Sequence, residues 1–409
     1  MSPLQALLFH LRVKGVGILG HDKGADMRTG ERRFVSGVVL LSCAFFVAQQ
    51  GGRQIIPKAA DFVEIINEPR PRPPLVDVKF VLDLTLKQPG WQPYSLLVDK
   101  ADNLYVISGK ENTLTKFDAA GREIFRKDFK SGQGPGEFGF FDPWFASDGR
   151  LIVLDGRQRR VTTFDKDFQF LSVSRINLWG DILRLDSGSN MYLLVMTFLP
   201  NTRDRQLLTL TKCTPEGKPI HEIYEYEWGV RRDGRGIYHS DPYRTQVKYQ
   251  VDSHDCLWYA VTDRYEINVV SPDGRLIRRI SKTDQPRKLT PAEIAGFKPK
   301  DPNSRVLNDV PDRVPPVANL FLLEDGRVLV ITFESREGDI ELIGDVFDNQ
   351  GIFRARVNVP KYDGWDGLLA PRKPAALASK GFFYTIETPD DGGDPVVKRY
   401  KIVMTKPRG

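Results

Sequence analysis

Between Glu225 and Val247 the sequence gathers the side chains best suited to gripping a ligand. Trp228, Arg231, Arg232, Arg235, Tyr238, His239, Asp241, Tyr243 and Arg244 all fall there, and from Trp228 to Arg244 four arginines face two acids, Asp233 and Asp241. Guanidinium forks hold carboxylates and phosphates, and aromatic faces hold cations and sugar rings. Two readings follow. In one, Trp228, Arg231, Arg232, Arg235, His239, Tyr243 and Arg244 line a binding site. In the other, solvated arginines and aromatics pack a long loop onto its neighbours. A second stretch, Lys361 to Pro374, sets Tyr362 and Trp365 beside Asp363 and Asp366. It complements the basic stretch if the two meet at a common mouth, with Trp365 a further ligand contact, or it is a packed Gly/Trp turn.

Other chemistry is sparsely supplied. His221, His239 and His254 are the histidines beyond the first 52 residues, and no HxxxH, HExxH or CxxC pair occurs, so a zinc site is not expected. There is no GxSxG elbow. Gly132 to Phe138 (GQGPGEF) lacks the GK[ST] ending of a phosphate loop and precedes a strand-like run rather than a helix. No cofactor is expected, although scattered carboxylates and carbonyls are the ligands by which a channel calcium or magnesium ion would be held. No catalytic signature stands out, so binding precedes catalysis among the expectations.

The elements that must position these residues are strands. From Val76 onward, short runs of period 2 alternate with Asp-Gly, Asn and Pro turns, and no long run has a 3.6-residue apolar period. The runs recur in groups of four. The clearest copy is Ser131 to Asp165, closed by Phe170 to Ile176; the first group starts at Ser95, the third at Ile182, the fourth at Tyr249 and the fifth at Leu320. The sixth, from Ala375 to Val403, has only three runs, and the strand-like run Val76 to Asp83 supplies the fourth if the ends of the chain meet. This predicts an all-β, six-bladed β-propeller of four antiparallel strands per blade, closed by residues 76–83 joining the last blade. Asp99, Asp148, Asp186 and Asp252 end inner strands and suggest a ring of carboxylates, but each stands where Asp bonds its own backbone in a hairpin turn. Thr290-Pro291-Ala292-Glu293 is a capping box that predicts a short helix to about Phe297 in the crossing from Ser281 to Pro316, a structural cover.

The pattern of Asn103-Leu104-Tyr105-Val106 followed by Lys116-Phe117-Asp118-Ala119-Ala120-Gly121, repeated by Tyr265-Glu266-Ile267 and Ser271-Pro272-Asp273-Gly274, resembles the six-bladed propellers related to NHL-repeat proteins. The GQGPGEF crossing is of the kind seen in bacterial members. The resemblance spans about Val76 to Met404 and implies the fold; it is nearly silent on activity, because the same fold hosts binding proteins, lyases and lactonases.

Composition frames these expectations. The 409 residues are 41% hydrophobic and 27% charged, with a formal net charge of +6 and acids and bases interspersed, and basic runs interleaved with aromatics are missing. A nucleic-acid partner is therefore not expected. Residues 1–52 read as a leader: Phe34 to Ala48 is uncharged and apolar, Arg28, Arg32 and Arg33 precede it, and Met27 is a plausible start. Cleavage as a signal, retention of 34–48 as a membrane tether, and lipidation at Cys43 are the three alternatives, the apolar run being short for a span. Residues 53–74 read as a Pro/Arg-rich linker, 75–404 as the propeller and 405–409 as a tail. Cys213 and Cys256 are either a disulfide or two separate buried thiols. The expectation is an exported, periplasmic or extracellular monomer that binds a small molecule, glycan or peptide at its channel face. The alternatives are a metal-assisted hydrolase or lyase of the lactonase kind using channel carboxylates, and a protein-interaction platform at the cell envelope.

Overall fold

The computed structural model describes residues 52–109, 112–199, 206–240, 243–283, 286–297, 306–334, 341–364 and 375–406. The leader, including 34–48 and Cys43, and Trp365 lie outside the described residues. These residues build the six-bladed propeller. Blade 1 runs Pro93–Val98, Leu104–Ser108, Thr113–Phe117 and Glu123–Asp128. Blade 2 runs Asp142–Phe145, Leu151–Asp155, Arg160–Phe164 and Phe170–Arg175. Blade 3 is Gly180–Leu185, Met191–Phe198, Gln206–Cys213 and Pro219–Glu227; blade 4 is Val247–Val251, Leu257–Val261, Glu266–Val270 and Leu276–Lys282. Blade 5 is Asn319–Leu322, Val328–Ile331, Glu341–Phe347 and Phe353–Pro360. Blade 6 is Ala376–Ser379, Phe382–Glu387 and Val396–Thr405, completed by Asp77–Leu86, which pairs antiparallel with Val396–Thr405.

The core lies between blades rather than within one sandwich. Six apolar clusters occupy the six blade interfaces, from Leu97, Phe129 and Phe164 between blades 1 and 2 to Leu86, Trp91 and Val397 between blades 6 and 1. This explains why the second strands lack polar alternation. Leu104–Ser108, Leu151–Asp155 and Leu257–Val261 are buried at every residue because each has a neighbouring blade on both faces.

The turns use the aspartates as expected. Asp99 Oδ1 accepts from the Ala101 and Asn103 backbone N–H groups (both 2.9 Å), and its Oδ2 accepts from the Tyr105 hydroxyl (2.9 Å). Burial raises the Asp99 carboxyl, but these bonds outweigh it and hold the pKa below its ordinary value. Asp186 and Asp252 repeat the arrangement, with Trp258 Nε1 donating to Asp252 Oδ2 (2.8 Å) where blade 1 uses Tyr105. Asp148 holds the Arg150 N–H (3.1 Å). Gly274 shows the second constraint on such turns: its φ is +82°, and a Cβ there would lie 2.6 Å from His221 of blade 3.

One boundary departs from the sequence reading. The expected linker 53–74 is not a free tether over its first part. Arg53–Gln54 adds antiparallel to the outer strand of blade 3, and Lys58–Asn67 adds parallel to Leu276–Lys282, giving both blades a fifth strand. The buried Asn67 fixes the end of this strap: its Nδ2 donates to Gly351 O (2.9 Å), and its Oδ1 accepts from Phe353 N (2.9 Å). Two outer edges that would otherwise expose unpaired backbone are thereby covered. Cys213 and Cys256 are both free; burial pushes the thiols up to about 12 and about 11, respectively.

Buried charges bolt blades 4 and 5 together. Asp345, fully enclosed, accepts from Lys282 Nζ (2.6 Å), the Tyr265 hydroxyl (2.8 Å) and Arg356 Nε (2.9 Å), and the Lys282 side chain is also fully enclosed. Asp345→Ala should lower unfolding free energy by about 3–5 kcal/mol, because it strands a buried lysine. Arg150→Ala, which breaks an exposed pair with Asp148, should cost less than about 1 kcal/mol. Urea titration of the two variants checks this; equal effects would remove the bolt from the account.

Candidate functional site

The arginine-rich stretch folds largely onto itself. Val230–Arg232 and Tyr238–Ser240 form a hairpin, with Arg231 opposite His239 and Arg232 opposite Tyr238, and Val306–Asn308 adds parallel to it from the next crossing. Asp233 makes the turn: its Oδ1 accepts from the Arg235 and Ile237 N–H groups (2.9 and 3.0 Å), and its Oδ2 meets Arg235 Nη2 (3.1 Å) and His239 Nε2 (3.3 Å). The backbone bond from Ile237 is the largest cause of a strongly depressed Asp233 pKa. Arg244 is buried, its guanidinium 4.6 Å over the Trp228 ring. Tyr243 packs edge-on between Phe297 and Phe333, at 5.3 Å from each. The structure thus brings Trp228 to Arg244, joins Arg235 and His239 through Asp233, and packs Tyr243 against Phe297 and Phe333. Tyr362 is buried, its hydroxyl accepting from Asn319 Nδ2 (3.0 Å), and Asp363 accepts from Thr388 N and Oγ1 (2.9 and 2.7 Å).

The helix Pro291–Gly296 (α1) carries the capping box, with Thr290 as its cap. Arg287 grips both oxygens of Glu293 (2.8 and 2.6 Å) and, with the Thr290 bonds, pulls its carboxyl down to about 2. GQGPGEF is held as a crossing. Arg160 donates to the carbonyls of Gln133 (3.0 Å), Gly134 (3.1 Å) and Glu137, while Glu137 Oε2 accepts from Gly134 N (2.8 Å).

A different place has the geometry of a site. A cavity of about 230 Å³ lies on the propeller axis. Leu97, Phe145, Val251, Leu322 and Leu377 contribute apolar side chains, Trp144 adds an indole, and Gln250 and Ser379 add polar groups to a wall of mixed character. The lining residues stand near the ends of the inner strands of blades 1, 2, 4, 5 and 6, toward the hairpin side of the ring and away from the crossings that hold Trp228 to Arg244. Blade 3 has Arg184 at the equivalent register, next to last in Gly180–Leu185.

Arg184 is 4% exposed. Its Nε donates to Gln250 Oε1 (3.3 Å), its Nη1 donates to Leu183 O (2.9 Å), and its guanidinium lies 4.4 Å over Trp144. Burial presses its pKa below the ordinary arginine value, opposed by Tyr249 and Asp142. Asp142 sits one blade away, its Oδ2 accepting from Leu183 N (2.7 Å). Sequence reasoning missed Arg184, although a charge within the apolar run Leu183-Arg184-Leu185 was the available signal. A larger groove of about 1710 Å³ opens between blades 5 and 6, where Glu387 pairs with Lys398, and Arg356 with Asp345 and Glu334. Among the described residues, no three His, Cys, Asp or Glu side chains are gathered so as to hold a metal ion, and no helix is long and apolar enough to cross a membrane.

No protein-family model and no curated protein matches the chain. Solved structures do. A protein from Bacteroides fragilis described as exported is 10% identical, covering 83% of this chain and 100% of its own, with a TM-score of 0.47. A DUF4221 family member from Bacteroides vulgatus is also 10% identical over 81% and 99%, at 0.46. Virginiamycin B lyase from Staphylococcus aureus, in a structure with quinupristin, is 10% identical over 80% and 99%, at 0.41. Likeness at this distance transfers no activity.

The Arg287–Glu293 clamp generates a pH dependence. The folded pKa of Glu293 lies below its ordinary 4.5, so the stability it adds is present above about 4.5 and is lost as pH falls toward about 2. Hydrogen-exchange protection of residues 290–297 should fall over that window, and Glu293→Gln should lower it at neutral pH and flatten the profile. A flat wild-type profile would contradict the clamp.

Proposed function

We propose that the protein is an exported β-propeller that binds a small molecule in its axial channel. The observation that supports this most strongly is the cavity itself, walled by the inner strands of five blades with Arg184 at the matching position of the sixth. Pockets that retain small ligands are concave and combine apolar side chains with placed polar groups; here Leu97, Phe145, Val251 and Leu377 supply the first and Gln250, Ser379 and Trp144 the second. The crossing stretch from Trp228 to Arg244 supports the reading less, because Asp233 engages Arg235 and His239, Arg244 lies on Trp228, and Tyr243 packs on Phe297 and Phe333. Export rests on the charged-then-apolar leader around Phe34 to Ala48. The NHL-type relation rests on the repeated Asp-centred turns at Asp99, Asp186 and Asp252.

A thermal-shift screen of the full chain against metabolites, glycans and short peptides tests the proposal. A small molecule should stabilise the protein, and Ala378→Leu, which fills the cavity wall, should abolish that shift. Ligand at 100 times its Kd corresponds to about 2.7 kcal/mol of added stability. A stabilising glycan or peptide whose effect survives Ala378→Leu and is lost on Arg235→Ala or Tyr243→Ala would overturn the channel site in favour of the crossing face.

A further inference from the structure

The charge of Arg184 narrows the ligand class, an argument that rests on the reading of the cavity as a ligand site. Three other buried cations in the ring are met by protein acceptors. Lys282 has Asp345, and Lys212 has Asp186 at 3.0 Å together with the Pro272 carbonyl at 3.0 Å. Arg160 has three carbonyls. Arg184 forms no ion pair with a carboxylate among the described residues, and its two hydrogen bonds use two of the five N–H groups that a guanidinium carries. A buried cation with uncommitted donors is costly unless an anion completes it.

We propose that the axial cavity takes a small monocarboxylate with an apolar body, its carboxylate on Arg184 and its body against Leu97, Phe145, Val251 and Leu377. The guanidinium fork matches a carboxylate in shape. Size agrees, since cavities of roughly 150 Å³ hold benzene and this one is about 230 Å³. Asp142, bonded to the backbone of the residue beside Arg184, offsets part of the positive field, which favours a monoanion over a phosphate dianion. Trp144 fixes the guanidinium plane from one side, leaving for the ligand the in-plane donors that Gln250 and Leu183 do not take.

The test is calorimetric titration of the full chain at pH 7 with benzoate, phenylacetate and 4-methylpentanoate, each paired with its neutral amide, and with inorganic phosphate. At least one carboxylate should bind, its amide should bind weaker by about tenfold or more, and phosphate should not compete. Arg184→Met should erase the preference for the acid, and Arg184→Lys should keep part of it, with circular dichroism confirming the fold. The wild-type acid–amide comparison stands even if the variants misfold. Acid and amide binding equally, both lost in Ala378→Leu, would overturn the carboxylate assignment and leave the cavity as a ligand site. Binding of neither overturns both, and phosphate displacing the acid overturns the monoanion preference.

Discussion

The structure depends on closure of the ring. Asp77–Leu86, from the start of the propeller, hydrogen-bonds along Val396–Thr405, from its end. Without that pairing, blade 6 would lack its outer strand, and the cluster of Leu86, Trp91, Leu104, Tyr384 and Val397 would lose one wall. Burying apolar surface contributes roughly 25 cal/mol per Å², so opening the ring would expose one of six equivalent seams. Closure also removes the sheet edges that an open array of blades would leave. It sets the distance between opposite inner strands, and the axial cavity is the space left by that distance.

Within such a ring, buried charge is costly and is mostly answered by an opposite charge or by carbonyls. The Lys282–Asp345–Arg356 group joins two blades and is satisfied by protein alone. Lys212 and Asp186 do the same within blade 3 and reach blade 4 through Pro272 O. Arg184 stands at the same depth without a carboxylate partner among the described residues, next to Gln250 and Trp144 of the axial cavity. That contrast is the reason the channel, rather than the arginine-rich crossing, is proposed as the ligand site. The crossing serves another end: its hairpin, joined by Val306–Asn308, and Tyr243 on Phe297 tie the crossings before and after blade 4 together.

Much of the fold was legible because it is written locally. Period-2 runs, the Asp-centred turns at Asp99 and Asp252, and Gly at positive φ in the hairpins each act within a few residues. The incomplete sixth group pointed to closure because a lone strand-like run stood at the other end. The strap Lys58–Asn67 was harder: parallel addition to an edge leaves no hairpin turn to read, and the nearby run Arg70 to Pro74 argued for extended chain. The geometry of the proposed site was harder still. Trp144, Arg184 and Gln250 are separated by 40 and 66 residues in sequence and meet only through the common register of inner strands. Conversely, Arg235 and Arg244 looked available by composition, but a turn aspartate and a neighbouring indole engage them. Trp365 lies outside the described residues.

The most direct measurement is a crystal structure of the protein grown with phenylacetate. The account predicts the ligand on the propeller axis, its carboxylate on the Arg184 guanidinium and its ring between Trp144 and Leu377. Phenylacetate bound instead against Trp228 and Arg244, or in the groove between blades 5 and 6 with the axis holding only water, would contradict it.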